Sequence, residues 1–181
     1  GLGLQLKTIN GGQKWDEFKF DNQGWMGKVH FVSSSTGFAA GILGNIYKTS
    51  DQGTNWSNTS NESDGHVYDF SFPSLNVGYA AGQKEMVKTI DGGNTWRILS
   101  DSPCEIYFLH FADNLNGIAI GEGHYTGGDW GYWTSAIYRT SDGGLTWGKE
   151  DNIEFGSVTS FFSEKVGYSL GVDSLYKITI E

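Results

Sequence analysis

One cysteine, two prolines and two arginines are all that this chain of 181 residues carries of those three types. Cys104 alone cannot close an internal disulfide, so the fold does not depend on one. The scarcity of proline and the absence of a Gly-X-Y period exclude a collagen-like chain. No apolar run approaches the roughly 20 residues that a membrane-crossing helix needs, so no membrane insertion is expected. Positive charge is short throughout: 12 basic residues stand against 21 acidic ones, a formal net charge of -9. Nucleic acid and anionic membrane surfaces call for the opposite field, and no nucleic-acid partner is expected.

Glycine and aromatic residues are abundant instead: 27 Gly, 7 Trp, 9 Tyr and 11 Phe. Bulky rings in this number separate the chain from disordered sequences. Turn residues interrupt it too often for helices of ordinary length, which predicts many short strands joined by tight turns. The expected class is all-β, in a single domain over residues 1–181.

One phrase recurs four times: Lys7-Thr-Ile-Asn-Gly-Gly-Gln-Lys-Trp15, Lys48-Thr-Ser-Asp-Gln-Gly-Thr-Asn-Trp56, Lys88-Thr-Ile-Asp-Gly-Gly-Asn-Thr-Trp96 and Arg139-Thr-Ser-Asp-Gly-Gly-Leu-Thr-Trp147. The tryptophans are spaced by 41, 40 and 51 residues. A second phrase sets a Phe six residues before Gly-x-small-x-Gly: Phe31 with Gly37 to Gly41, Phe72 with Gly78 to Gly82, Phe111 with Gly117 to Gly121, and Phe161 with Gly167 to Gly171. Each unit reads as four strands. Strand A holds the Phe, B the Gly-flanked run, C the segment before the first phrase, and D starts at the Trp. Units fall at about 1–20 (partial), 28–60, 67–100, 106–150 and 157–181 (partial). Repeats of this length and strand content predict the blades of a β-propeller.

The turn between C and D has a mechanical reading. Its Asp accepts backbone N–H groups of the turn it opens, a Gly two positions on supplies positive φ, and the Trp covers the hairpin. The residues in these roles are Asn10, Gly12 and Trp15; Asp51, Gly53 and Trp56; Asp91, Gly93 and Trp96; Asp142, Gly144 and Trp147. The phrase resembles the Asp box of the BNR repeat family, and with the Gly-bracketed phrase before it the chain is similar to the photosystem II assembly factor type of Asp-box propeller. The resemblance spans nearly the whole chain and implies a fold. It leaves function open, because Asp boxes occur in sialidases, xyloglucanases, sorting receptors and assembly factors alike. Asn10 and Gln52 depart from the pattern, and the last unit stops before any box. The expectation is therefore a section of a longer array, or an oligomer, with a small ring of irregular closure as the alternative. Many secreted bacterial proteins resemble this chain, which implies a secreted, periplasmic or cell-surface location.

The box carboxylates sit a blade apart and cannot converge on one ion or one bond, so their expected role is structural. Lys7, Lys48, Lys88, Arg139 and Lys177 share one address and are expected to lay their stems over the hairpin Trp. Sialidase chemistry needs three arginines on a substrate carboxylate, and two exist. A hydrolase of neutral polysaccharide needs two facing carboxyl groups, for which Asp69, Asp113, Glu154 and Glu164 near strand A are the candidates. His30 and His110 repeat one position and read as structural. His66 and His124 lack a placed carboxylate, so no metal is expected, nor any cofactor. Cys104 has no His–Asp context for a nucleophile. Asn55, Asn58 and Asn61 open formal glycosylation triplets, which chance overlap in a Ser/Asn-rich stretch explains equally.

The third unit breaks the plan with a B-to-C insertion from Glu122 to Ser135. It carries His124, Tyr125, Asp129, Trp130, Tyr132 and Trp133 on the face shared by the D-to-A connections, beside Trp25 and His66. Flat amphipathic rings there fit a sugar face or a protein partner, or else fold down as a plug over the channel. The function expected is a non-catalytic binding or assembly scaffold contacting a glycan or a protein; the alternative is a propeller hydrolase of neutral polysaccharide.

Overall fold

The structure is a computed structural model and describes residues 4–19, 26–103, 105–125, 133–150, 158–161, 163, 165–170 and 175–180. Among the described residues eighteen strands run in order: β1 (Leu4–Lys7), β2 (Asp16–Lys19), β3 (Met26–Phe31), β4 (Gly37–Gly41), β5 (Ile46–Thr49), β6 (Ser57–Asn58), β7 (Ser60–Asn61), β8 (Val67–Ser71), β9 (Gly78–Gly82), β10 (Met86–Thr89), β11 (Thr95–Leu99), β12 (Ile106–Phe111), β13 (Gly117–Tyr125), β14 (Trp133–Thr140), β15 (Gly148–Glu150), β16 (Val158–Phe161), β17 (Val166–Leu170) and β18 (Leu175–Thr179). Three antiparallel meanders, β3 to β6, β8 to β11 and β12 to β15, form blades one to three; β16 to β18 form a three-stranded sheet and β1 with β2 a hairpin. The fold is an all-β array of propeller-type blades.

Blade two departs from the four-strand expectation. The short β7, on the way from blade one, pairs in parallel with β11 through Ser60 and Thr95. Glu62 then ties the same edge, ion-paired to Arg97 at 3.0 Å and accepting the Ile98 N–H at 3.1 Å. A connection that crosses between outer edges thus covers a row of backbone groups that would otherwise be a pairing hazard.

The six-residue spacing from Phe to Gly has a direct cause. It closes the A-to-B turn so that Phe31 lies opposite Gly37, and Phe111 opposite Gly117. The ring then folds across the bare Cα: a Cβ at Gly78 would run into the Phe72 ring. Neighbouring blades meet through the next layer. Phe38 of blade one stacks on Phe72 of blade two at 4.5 Å, with Trp96 edge-on to both. Tyr79 of blade two stacks on Phe111 of blade three at 3.5 Å. Ile118, Ile120 and Ile137 of blade three close against Ile178 and Ile180.

The turn ends of the blades are closed by hydrogen bonds. Asp51 accepts from the N–H groups of Thr54 and Asn55, and Asp91 from those of Asn94 and Thr95. Thr49, Thr89 and Thr140 donate to the carboxylate two residues on and accept a glycine N–H, Gly93 to Thr89 at 2.8 Å. Gly53, Gly93 and Gly144 all have φ between 78° and 84°, the conformation that places this N–H. Asn10 does the same job with less: its Oδ1 accepts the Lys14 N–H at 2.9 Å. The tryptophans cover their turns, Trp56 and Trp147 donating to the Gly53 and Gly144 carbonyls, whereas the Trp96 Nε1 is buried with no partner.

The tips of four of the recurring basic residues reach across to the next blade. Lys7 donates to Thr54 Oγ1, Lys48 to Asn94 Oδ1, Lys88 to the Gly143 carbonyl and Arg139 to the Thr179 carbonyl, over 2.8 to 3.2 Å. A long stem with a cationic tip spans the gap, and the oriented carbonyls and amides of the neighbouring turn receive it.

Candidate functional site

The inner strands converge on a cavity of about 420 Å³ whose walls come from β3, β8, β12 and β16. In blades one to three the residue three before the strand-A Phe lines it: Lys28, Asp69 and Phe108. Lys28 and Asp69 form an ion pair at 2.6 Å, and Phe108 stacks on Phe161 at 5.9 Å. Asp69 is buried and also accepts the N–H groups of Phe70 and Leu109, each at 2.9 Å, so one carboxylate joins three blades. Ser71 accepts the Phe111 N–H at 2.8 Å. His30 stacks on Phe72 at 5.8 Å and His110 on Phe161 at 4.1 Å, so both histidines pack on the next blade's phenylalanine as repetition suggested. Burial holds the His30 imidazole below its ordinary pKa, against the opposing pull of Asp69.

This arrangement does not assemble a pair of hydrolytic carboxylates. Among the described residues that line the cavity, Asp69 is the single carboxylate, and its oxygens are taken by Lys28 and two amides. Asp113 lies in the turn after β12, accepting the Leu115 and Asn116 N–H groups at 2.7 and 2.8 Å. Glu154 and Glu164 lie outside the described residues.

At the end of the blades opposite the Asp turns, the inner strands of blades one to three each carry one extra residue, whereas β16 pairs with β17 without a slip. In β8 the pairing steps from Val67 and Gly82 to Asp69 and Ala81, leaving Tyr68 over. In β12 it steps from Ile106 and Gly121 to Phe108 and Ile120, leaving Tyr107, and in β3 the same slip leaves Gly27. Such bulges re-aim a side chain. Glycine on the partner strand makes room, since a Cβ at Gly82 would strike the His66 carbonyl and one at Gly121 the Glu105 carbonyl. The two tyrosines stack, with ring centroids 5.9 Å apart and 22° between planes, and His66 meets Tyr68 edge-on at 6.4 Å. Tyr107 is 53% exposed. Glu105, two residues before it, has φ 52°, a conformation that side chains seldom adopt. Burial, with the Glu105 charge added, raises the Tyr68 hydroxyl above its usual pKa.

The insertion of blade three differs from the expected loop at its flanks. β13 and β14 run on as a ladder, with Glu122 opposite Ser135 and Tyr125 opposite Trp133, past the start of β12. His124 and Tyr125 thus belong to β13, and Trp133 opens β14. Asp129, Trp130 and Tyr132, like Trp25 and Cys104, lie outside the described residues. Of the residues named from the sequence for this face, His66 is the one whose side chain the structure places, and it places it against the unforeseen Tyr68. Among the described residues no three His, Cys, Asp or Glu side chains gather as a metal site.

No family model matches the sequence, and no curated protein matches it. Solved structures do. A structure of YCF48 bound to D1 peptide aligns with 98% of this chain and 72% of its own, at 17% identity and a TM-score of 0.54. An ancestral GH74 enzyme aligns with 86% of this chain at 16% identity and a TM-score of 0.61. The GH74 xyloglucanase from Xanthomonas campestris aligns with 98% at 9% identity and a TM-score of 0.59. The chain spans 23% and 41% of those two enzymes. At such identities the likeness establishes the propeller fold and nothing finer.

Proposed function

We propose that this chain is a non-catalytic binding or assembly scaffold that receives a protein partner on the face opposite the Asp turns. The observation that carries this reading is the repeated bulge, which turns Tyr68 and Tyr107 out beside the base of the extended β13–β14 hairpin. A regular inner strand would bury both. A bulge kept at the same position in successive blades, with a glycine opposite to admit it, serves presentation of those rings. To the same face the proposal assigns the residues read from the sequence, His124, Tyr125, Asp129, Trp130, Tyr132 and Trp133 of the insertion with Trp25 and His66. Support for a protein rather than a glycan comes from the YCF48 structure, which is of a peptide complex. Against turnover, Asp69 is engaged in holding three blades together.

The test pans a random dodecapeptide library on the intact chain and titrates the selected peptides, with a xyloglucan heptasaccharide in parallel. Selected peptides are expected to bind and to lose at least about tenfold in affinity when Trp130 and Trp133 are both replaced by Ala, as loss of aromatic anchors implies. Peptides indifferent to that double variant, or binding and cleavage of the heptasaccharide, would overturn the reading.

A further inference from the structure

We infer that the cavity between the inner strands is a binding site for a small planar carboxylate, with Lys28 and His30 as the donors to its oxygens. None of the residues involved belongs to the face proposed above for a protein partner, so the two sites stand or fall separately.

The repeat itself marks the site. The strand-A Phe and the Gly six residues on keep their identity in all four units, as the close approach of ring and backbone requires. The positions of the same strands that line the cavity do not. One residue before the Phe stand His30, Ser71, His110 and Ser160, and three before it Lys28, Asp69 and Phe108. A position that faces a shared space yet changes charge from blade to blade answers to the contents of that space rather than to the blade.

The donors come from one strand. Lys28 and His30 are two residues apart on β3 and so share a face of it. The Asp69 side chain that pairs with Lys28 at 2.6 Å is 6% exposed, whereas that of the lysine is 37% exposed. The acid is withdrawn, and the ammonium, with three N–H groups, keeps two for a ligand. Burial lowers the His30 pKa, which leaves a neutral imidazole with one N–H to give. Among the described residues no group hydrogen-bonds the His30 ring nitrogens.

The walls select the rest of the ligand. His30 lies at 14° to Phe72, Phe108 at 14° to Phe161 and His110 at 18° to Phe161, so near-parallel rings border a space of about 420 Å³. Largely apolar cavities of roughly 300–1,000 Å³ with a few placed polar groups are the usual form of a small-molecule site. A planar ring packs well against such walls by face or edge. A monoanion suits the donors better than a phosphate dianion, because Asp69 offsets part of the lysine charge and the chain carries a net charge of -9.

The experiment titrates the intact chain, its histidine rings isotope-labelled, with 2-naphthoate and in parallel with 2-naphthamide, which keeps the shape and removes the charge. The His30 resonances are expected to shift and saturate with naphthoate, while those of His66, beside Tyr68 at the bulged end, stay in place. Naphthoate should bind about tenfold or more tighter than naphthamide, the scale of a hydrogen bond to a charged group. Ser160 is exposed and lines the cavity, so Ser160→Trp should fill the space and abolish the response without disturbing the core. Lys28→Met alone strands the buried Asp69 carboxylate and risks the fold. Lys28→Met combined with Asp69→Asn removes both charges, keeps an acceptor for the amides, and should lose the preference for naphthoate. No saturable shift of His30, equal affinity for the two probes, an undiminished response in Ser160→Trp, or a preference kept by the double variant would overturn the site.

Discussion

The two ends of the blades treat their polar groups in opposite ways. At the turn end every device points inward: a threonine and a carboxylate collect the amides of each hairpin, and a cation from the preceding blade caps the next turn. At the other end three inner strands slip by one residue, and in blades two and three the residue left over is a tyrosine. Both patterns recur from blade to blade, so repetition alone does not separate fold from function. What separates them is whether the repeated group is satisfied inside the molecule. By that measure the turn end maintains the array, and the bulged end is the face we propose for a partner. Substitutions at the two ends should therefore fail differently.

The largest effect belongs to the packing that both ends depend on. Trp96 is 1% exposed and wedged against Phe38, Phe70 and Phe72. Trp96→Ala leaves a void between blades one and two and should cost about 3–5 kcal/mol, read by urea denaturation. A loss confined to one blade would show as a second transition, and the blades would then unfold separately.

Next comes the turn end itself. Thr89 is buried and its Oγ1 accepts the Gly93 N–H. Thr89→Val keeps the shape and strands that amide, for about 1–3 kcal/mol. Lys88→Met removes the cation that holds the Gly143 carbonyl at 2.9 Å while keeping much of the stem. Its expected cost is about 1 kcal/mol, because the site is partly exposed and the bond is screened. If the methionine variant were the more damaging of the two, the link between blades would outweigh the turn it caps.

Acid should also act on the turn end. The carboxyl groups of Asp51, Asp91 and Asp142 are held down to about 2 by the amide and hydroxyl groups that donate to them, against an ordinary value of 3.8. A depressed pKa means that the unfolded chain binds protons first as pH falls. Their stabilisation is thus complete above about pH 4 and lost as pH drops toward 2. The Asp142→Asn variant should show a shallower decline over that window in a series of melting curves, while matching the parent less well near neutrality. Asn10 shows that an amide can fill the position, with one backbone acceptor bond where Asp51 and Asp91 have two.

The turn end is legible in the sequence because its contacts are local. Thr49, Asp51 and Gly53 meet within five residues, so a recurring phrase spells out the geometry, and the Phe-to-Gly spacing does the same for the inner hairpin. The inter-blade reach of the cations was not legible because Lys48 and Asn94 lie 46 residues apart, and no local pattern says which partner a long stem will reach. Tyr68 and Tyr107 passed unnoticed for a related reason. A bulge is a slip in pairing between two strands, and along one strand Tyr68-Asp-Phe-Ser-Phe72 still reads as unbroken alternation. A signal was present in the second glycine of each Gly-bracketed run, Gly82 and Gly121, which admits the carbonyl that the slip displaces. The hairpin of blade three was found by its length and aromatic content, which are properties of composition rather than of pairing.

The smallest expected effect on stability is the one that tests the comparison most directly. Tyr107 buries less than half of its surface and belongs to a residue step that makes no ladder pair. Tyr107→Leu should therefore leave denaturation within about 0.5 kcal/mol of the parent, the usual range for surface changes away from special geometry. The stack on Tyr68 adds little to the fold, since Tyr68 keeps the edge-on His66 beside it. A cost of several kcal/mol would mean that the bulged tyrosines are themselves part of the core, and the outward end would then be as self-contained as the turn end. A neutral outcome leaves a large ring held in solvent at a fixed angle by a repeated backbone device, and a ring so placed has its use in contact with another molecule.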